Sequence, residues 1–171
     1  MGTGVETKNF AEEIREAFLL SGQDIRTYSP LTLAYIGDAV YELIIRTMLV
    51  EEKNAPVNRL HHEASSFVKA GAQADAYFRI RDELTEEELS VFKRGRNAKS
   101  YTSAKNASIT DYRTATGVEA LYGYWYLTGQ TSRMLEMAKR GFAENKLAVG
   151  DRENIAGERT TAEDGESEET K

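Results

Sequence analysis

The chain has 171 residues, with 22 Lys and Arg against 28 Asp and Glu, a formal net charge of −6, 40% hydrophobic residues and no cysteine. That size suits one domain with a real core. The absence of cysteine excludes disulfides, thiolate chemistry and Cys-type zinc sites, and no apolar run approaches the ~18 to 20 residues of a membrane span. Residues 1–8 read as unstructured, with early acids and no apolar h-region, so no signal peptide is expected and the expected location is cytoplasmic. Asn9 is placed to cap a short helix reaching Leu20, with Phe10, Ile14, Ala17 and Phe18 as its apolar stripe. The central helix follows. Ser29 is its N-cap, Pro30 occupies the first turn, and Leu33, Ile36, Val40, Leu43, Ile44 and Met48 recur at helical spacing to about Glu51. Pro56 opens a third helix carrying Val57, Leu60, Ala64, Phe67 and Val68, with a break expected near Gly71 before Ala74, Tyr77, Phe78 and Ile80. Thr85-Glu86-Glu87-Glu88 is a capping box. Its helix holds Leu89 and Phe92 and runs into Lys93-Arg94-Gly95-Arg96-Asn97-Ala98-Lys99-Ser100. The stretch from there to Ser108 reads as a loop. A helix from Ser108 or Thr110 ends at Gly129, and Thr131 is placed to cap the last one, with Met134, Leu135, Met137, Ala138 and Phe142. No segment alternates with period two, so the fold class is all-α.

Charge is unevenly distributed along this chain. Residues 147–171 hold eight acids and three bases, which leaves residues 1–146 near neutrality with 20 acids and 19 bases. No acid falls between Glu88 and Asp111, whereas Lys93, Arg94, Arg96, Lys99 and Lys105 all do. A basic stretch on a neutral body is the pattern of a phosphate-backbone contact.

Two helices carry a feature that a plain core helix lacks. Asp38 follows Gly37 in a run otherwise apolar from Leu31 to Tyr41 apart from Thr32. Glu119 has no charged neighbour between Arg113 and Arg133 and lies between Gly117 and Gly123. A carboxylate among apolar neighbours needs a cation, a donor or a metal, and a structural hydrogen bond answers that need as well as a site does. Small residues let helix axes approach closely, which would bring Asp38 and Glu119 face to face. Two such carboxylates repel unless a cation lies between them. Mg²⁺ is the natural occupant, because it takes few carboxylates and keeps water and phosphate oxygens as further ligands. Glu42, one turn past Asp38, reads as a solvated helix-face acid. His61 and His62 are adjacent, point apart and do not share an ion. Tyr122, Tyr124, Trp125 and Tyr126 read as core or dimer packing.

Leu33-Ala34-Tyr35-Ile36-Gly37-Asp38-Ala39-Val40-Tyr41-Glu42 resembles the signature helix of the ribonuclease III endonuclease domain. Thr116-Gly117-Val118-Glu119-Ala120-Leu121-Tyr122-Gly123 resembles its second acidic helix, and Ser65-Ser66-Phe67-Val68-Lys69 the stretch between. With Lys93 to Ser100, and no double-stranded-RNA-binding domain after the second acidic helix, the resemblance narrows to the Mini-ribonuclease III group and covers residues 27–143. It implies a symmetric all-α homodimer that cleaves double-stranded RNA with Mg²⁺, for which Mn²⁺ can substitute, leaving 5′-phosphate and 3′-hydroxyl ends. It also implies maturation of precursor 23S ribosomal RNA. A large-subunit ribosomal protein or a pre-ribosomal particle is a further candidate partner.

Carried over by position, Asp38 and Glu119 match the catalytic metal ligands. Where larger ribonucleases III have two further acids, this chain has Ala34 and Thr116, so its site has two protein carboxylates. Lys93, Arg94, Arg96 and Lys99 are assigned to the RNA backbone, and Asn97 and Ser100 to a groove edge or 2′-hydroxyls. The expected organisation is an N-terminal extension with a short helix (1–24), a ribonuclease III-like catalytic domain (25–146) and an acidic disordered tail (147–171). The rival reading is a non-catalytic RNA-binding scaffold in ribosome assembly, favoured by Ala34 and Thr116. The retained acids oppose it.

Overall fold

A computed structural model describes residues 7–99 and 108–143, and every regular element in them is helical. The acidic tail 147–171, Lys105 and Ser100 lie outside the described residues. Helix α1 spans Phe10–Ala17, α2 Pro30–Glu52, α3 Val57–Val68, α4 Ala70–Ile80, α5 Glu86–Asn97, α6 Ile109–Leu127 and α7 Thr131–Gly141, with 3-10 turns at Ile25–Thr27 and Arg81–Glu83. No described helix is long and apolar enough to cross a membrane.

Local chemistry sets most of the boundaries. The Asn9 side chain accepts from Glu12 N–H (3.1 Å) while Glu12 reaches back to Asn9 N–H (3.0 Å). Ser29 accepts from Thr32 N–H (3.1 Å) and Ser108 from Asp111 N–H (3.0 Å). Thr85 and Glu88 form the second capping box. Each satisfies first-turn donors that a helix cannot satisfy itself. Gly129, at φ +71°, stops α6. The last cap differs from expectation. Thr131 is already helical, and Gln130 precedes it without a side-chain cap. The break expected near Gly71 falls at Lys69, whose extended ψ of 143° separates α3 from α4.

Helices α2 and α6 cross at the centre, and α6 is buried from Thr114 to Trp125 apart from the half-buried Glu119. Around the crossing, Tyr41 meets Tyr122 edge-on (centroids 4.9 Å apart) and Phe142 (5.3 Å), while Tyr122 meets Trp125 (5.3 Å). The aromatic run of α6 is therefore core, with Tyr122, Tyr124 and Trp125 all buried. One expected stripe is turned outward, and another has a single exception. Phe10 of α1 and Phe18 just after it are 62% and 72% exposed, leaving Ala11 as that helix's only buried residue, and Leu43 of α2 is 57% exposed. The rest of the α2 stripe holds, with Leu33 and Val40 buried and Ile36, Ile44 and Met48 packed against the core, and Ala34, Tyr41, Ile45 and Leu49 are buried beside them. Phe10, Leu43 and Leu135 line an open apolar groove of about 680 Å³.

One buried ion pair ties α5, α6 and α7 together. Glu88, 3% exposed, accepts from Trp125 Nε1–H (2.8 Å) and from Arg133 Nε–H and Nη2–H (both 2.9 Å). Burial pushes its carboxyl up, but the Arg133 guanidinium, the Thr85 N–H and the Trp125 indole together hold it at about 2. The unfolded carboxyl titrates near 4.5. This group's stabilisation is thus full above that pH and is lost as pH falls towards 2. Glu88→Gln is expected to cost about 3 kcal/mol at pH 7, the scale of a broken buried pair. By pH 3 the penalty shrinks to less than half, because the unfolded chain's carboxyl, ordinarily near 4.5, is by then protonated while the folded one is still largely ionised. Urea unfolding at the two pH values measures both.

Candidate metal centre

The crossing of α2 and α6 depends on glycine. A Cβ on Gly37 would overlap the Glu119 carbonyl oxygen and lie 2.7 Å from Gly123 N, while one on Gly123 would overlap the Leu33 carbonyl oxygen. The two backbones are in contact there. That places Asp38 and Glu119 on facing turns, as the small residues predict.

Their environments differ. Asp38 is exposed despite its apolar sequence neighbours, because its side of α2 faces out; Glu119 is half-buried. Burial pushes the Glu119 carboxyl up to about 7, the Asp38 charge adds to that, and an N–H from Gln73 opposes it. Asp38 is raised as well, first by burial and then by Glu42. Glu42 itself pairs with Arg46 on the next turn (2.6 Å), in keeping with its reading as a helix-face acid.

Among the described residues, no ion pair reaches Asp38 or Glu119. Two acids that both hold their protons more tightly than usual, Glu119 partly because of the Asp38 charge, with no cation to offset them, form a site suited to a divalent ion. The donor set is small. No group of three or more His, Asp or Glu side chains gathers among the described residues. Ala34 is buried in the core, and the Thr116 hydroxyl donates to the Tyr112 carbonyl (3.0 Å) on its own helix. Neither replaces a missing acid. His61 and His62 are exposed on α3 and join no such group.

A third side chain at the pair is Gln73 of α4, whose Nε2–H donates to Glu119 Oε1 at 3.4 Å. The sequence signal for it is faint: it is the one polar residue in Ala70-Gly71-Ala72-Gln73-Ala74.

The ribonuclease III domain family matches residues 31–130, which takes in α2 to α6 and both acids. The chain belongs to the ribonuclease III family. Mini-ribonuclease 3 of Clostridium tetani is 54% identical over 118 residues, 68% of this chain and 78% of that protein. Mini-ribonuclease 3 of Desulfitobacterium hafniense is 47% identical over 137 residues, 80% and 84% of the two. A crystal structure of a Fusobacterium nucleatum protein matches with a TM-score of 0.64 at 30% identity, over 69% of this chain and 96% of that one. This ribonuclease III chain is accordingly all-α and an endoribonuclease of its family.

The basic residues of this ribonuclease III domain lie on the end of α5. Lys93, Arg94, Arg96 and Asn97 are exposed on its last turns and Lys99 follows, so the basic stretch is helical to Asn97. Arg94 has a structural task too, since its Nη2–H donates to the Tyr28 carbonyl (3.1 Å) ahead of α2. Gly95 seats this helix on α6, where a Cβ would lie 2.8 Å from that of Ala120 and 3.0 Å from Gly117 Cα.

Proposed function

We propose that this protein is a Mg²⁺-dependent endoribonuclease that cleaves double-stranded RNA to 5′-phosphate and 3′-hydroxyl ends. The observation that carries this reading is the pair of acids, Asp38 and Glu119, packed across a glycine crossing without a cationic partner. These two residues would hold the ion, with Mn²⁺ an effective substitute. When bound, it supplies Lewis-acid stabilisation of charge at the phosphodiester and lowers the pKa of an attacking water. Lys93, Arg94, Arg96, Asn97 and Lys99 hold the duplex by its phosphates and sugars, Ser100 belonging with them by sequence. Water and RNA phosphate complete the ion's shell, since Ala34 and Thr116 contribute nothing to it.

We infer that two copies work together, one per end of a duplex cut. The 39% exposed Leu31, 81% exposed Tyr35 and 57% exposed Leu43 on α2 are apolar surface that a monomer leaves in water. Sedimentation at micromolar concentration is expected to give the mass of two chains. The physiological substrate we propose is precursor 23S ribosomal RNA in the cytoplasm, presented bare or within a pre-ribosomal particle.

Affinity for RNA rests on the exposed basic residues at the end of α5. Binding of a perfect duplex in the absence of metal is expected to fall with salt along a log–log slope of about −4 or steeper, with Lys93→Ala and Arg96→Ala each reducing the slope by about 1. Fluorescence anisotropy across a salt series reads this, and a flat series contradicts the phosphate assignment. The activity itself is tested by cutting a long perfect RNA duplex at low salt with and without Mg²⁺, followed by precursor 23S RNA in assembling particles. Metal-dependent fragments bearing 5′-phosphates are expected. No cutting of either substrate would favour the scaffold.

A further inference from the structure

Gln73 is only 3% exposed, and its Nε2 donates both to the Val68 carbonyl (3.1 Å) and to Glu119 Oε1 (3.4 Å). The Val68 carbonyl can only accept, so it takes an N–H and sets the orientation of the amide, which then turns its other N–H to Glu119. Its two donors are then used, while its buried Oε1 has no hydrogen-bond partner. A buried carbonyl oxygen left unsatisfied is a standing cost, and an unbranched apolar side chain of the same length would remove it. Packing alone does not explain the amide. Capping the end of α3 at Val68 uses one N–H, and the other N–H reaches the acid.

We propose that Gln73 is a positioning residue for Glu119. It fixes one carboxylate oxygen from the α3–α4 corner and leaves the other for a divalent cation shared with Asp38. This rests on the reading of the two acids as the metal centre. The neutrality of the donor is part of the argument. Lys or Arg in this place would cancel one charge of the pair and compete with the ion, whereas an amide turns the carboxylate without neutralising it. With only two acids in the site, the orientation of each decides much of the affinity. Outer partners of metal ligands act in this way elsewhere, tuning affinity through the ligand they hold.

The test is calorimetric titration of Mn²⁺ into the full-length wild type, Gln73→Met, Gln73→Asn and Glu119→Gln, each checked for folding by urea unfolding and for metal-free binding of duplex RNA. Gln73→Met keeps the length and loses the donors; Gln73→Asn keeps the amide but falls short of Glu119. Mn²⁺ affinity is expected to drop about 10- to 100-fold in both variants, with RNA binding unchanged. A purely structural Gln73 would lower the urea midpoint and leave the Mn²⁺ affinity at the wild-type value, which overturns the proposal. Should Gln73→Met fail to fold, Gln73→Asn makes the same comparison with the same two outcomes. Loss of Mn²⁺ binding in Glu119→Gln alone would overturn the role of Gln73 and keep the metal centre. Equal binding by the wild type and Glu119→Gln would overturn both.

Discussion

Glu119→Gln is expected to abolish cutting of duplex RNA and, at the same time, to make the metal-free protein more stable. The loss of activity follows from removing one of the two proposed metal ligands. It is expected to exceed the 10- to 100-fold that even outer partners of a metal ligand cost. The gain in stability follows from the electrostatics. Glu119 is held at about 7 against an ordinary 4.5 because burial and Asp38 disfavour its charge. The folded protein therefore binds this proton more tightly than the unfolded chain does. Between pH 4.5 and 7, metal-free stability from this group falls as pH rises, and above 7 the full penalty stands. That penalty is on the order of 3 kcal/mol. Glutamine keeps the shape, still accepts from Gln73 and carries no charge. Asp38→Asn is expected to act in the same direction on both measurements, with a smaller gain because Asp38 is exposed. Duplex cleavage in Mg²⁺, with thermal unfolding in chelator at pH 5 and pH 8, checks the pair of effects. A nuclease site bought at the expense of stability is the general pattern.

The second large effect belongs to the crossing itself. Gly37→Ala puts a methyl group onto the Glu119 carbonyl oxygen and against Gly123 N, atoms of a backbone that cannot rotate away. Overpacking a core commonly costs 1–3 kcal/mol where side chains can adjust. Here the obstacle is the main chain of α6, so Gly37→Ala is expected to cost about 4 kcal/mol or more and to spread α2 from α6. Metal binding is then expected to disappear with the tertiary structure, unlike in Glu119→Gln, where only binding goes. Near-ultraviolet circular dichroism distinguishes the two cases through Trp125 and Tyr122, which lie 5.3 Å apart in the core. Native-like spectra and stability for Gly37→Ala would show that the helices do not meet as closely as described.

Much of this was legible in the sequence because it is local. Caps at Asn9, Ser29, Thr85 and Ser108 act over three residues, so the residue types alone identify them. The two acids stand out for the same reason, each being a lone charge in an apolar, glycine-containing helix. The rest depends on what packs where. Periodicity marks the apolar side of α1 without saying that Phe10 and Phe18 stay in water, and it cannot rank the faces of a helix as enclosed as α2, where Leu43 is exposed and Tyr41 is core. The Glu88–Trp125–Arg133 network joins residues 37 and 45 positions apart, which no local pattern reports. Gln73 is 46 positions from Glu119 and became visible only once α4 was seen against α6. The exact place of the break expected near Gly71, at Lys69, is of the same kind, since the Gln73 side chain holds the Val68 carbonyl from across it.

The central claim is that Asp38 and Glu119 together form a divalent-cation site. It is tested most directly by thermal unfolding at pH 8 as Mg²⁺ and then Mn²⁺ are added, for the wild type beside Glu119→Gln. A ligand that binds only the folded state raises the midpoint with its concentration. The wild type is expected to start lower and climb with metal, while Glu119→Gln starts higher and stays flat. Parallel climbs in both proteins would contradict the assignment and place the cation elsewhere.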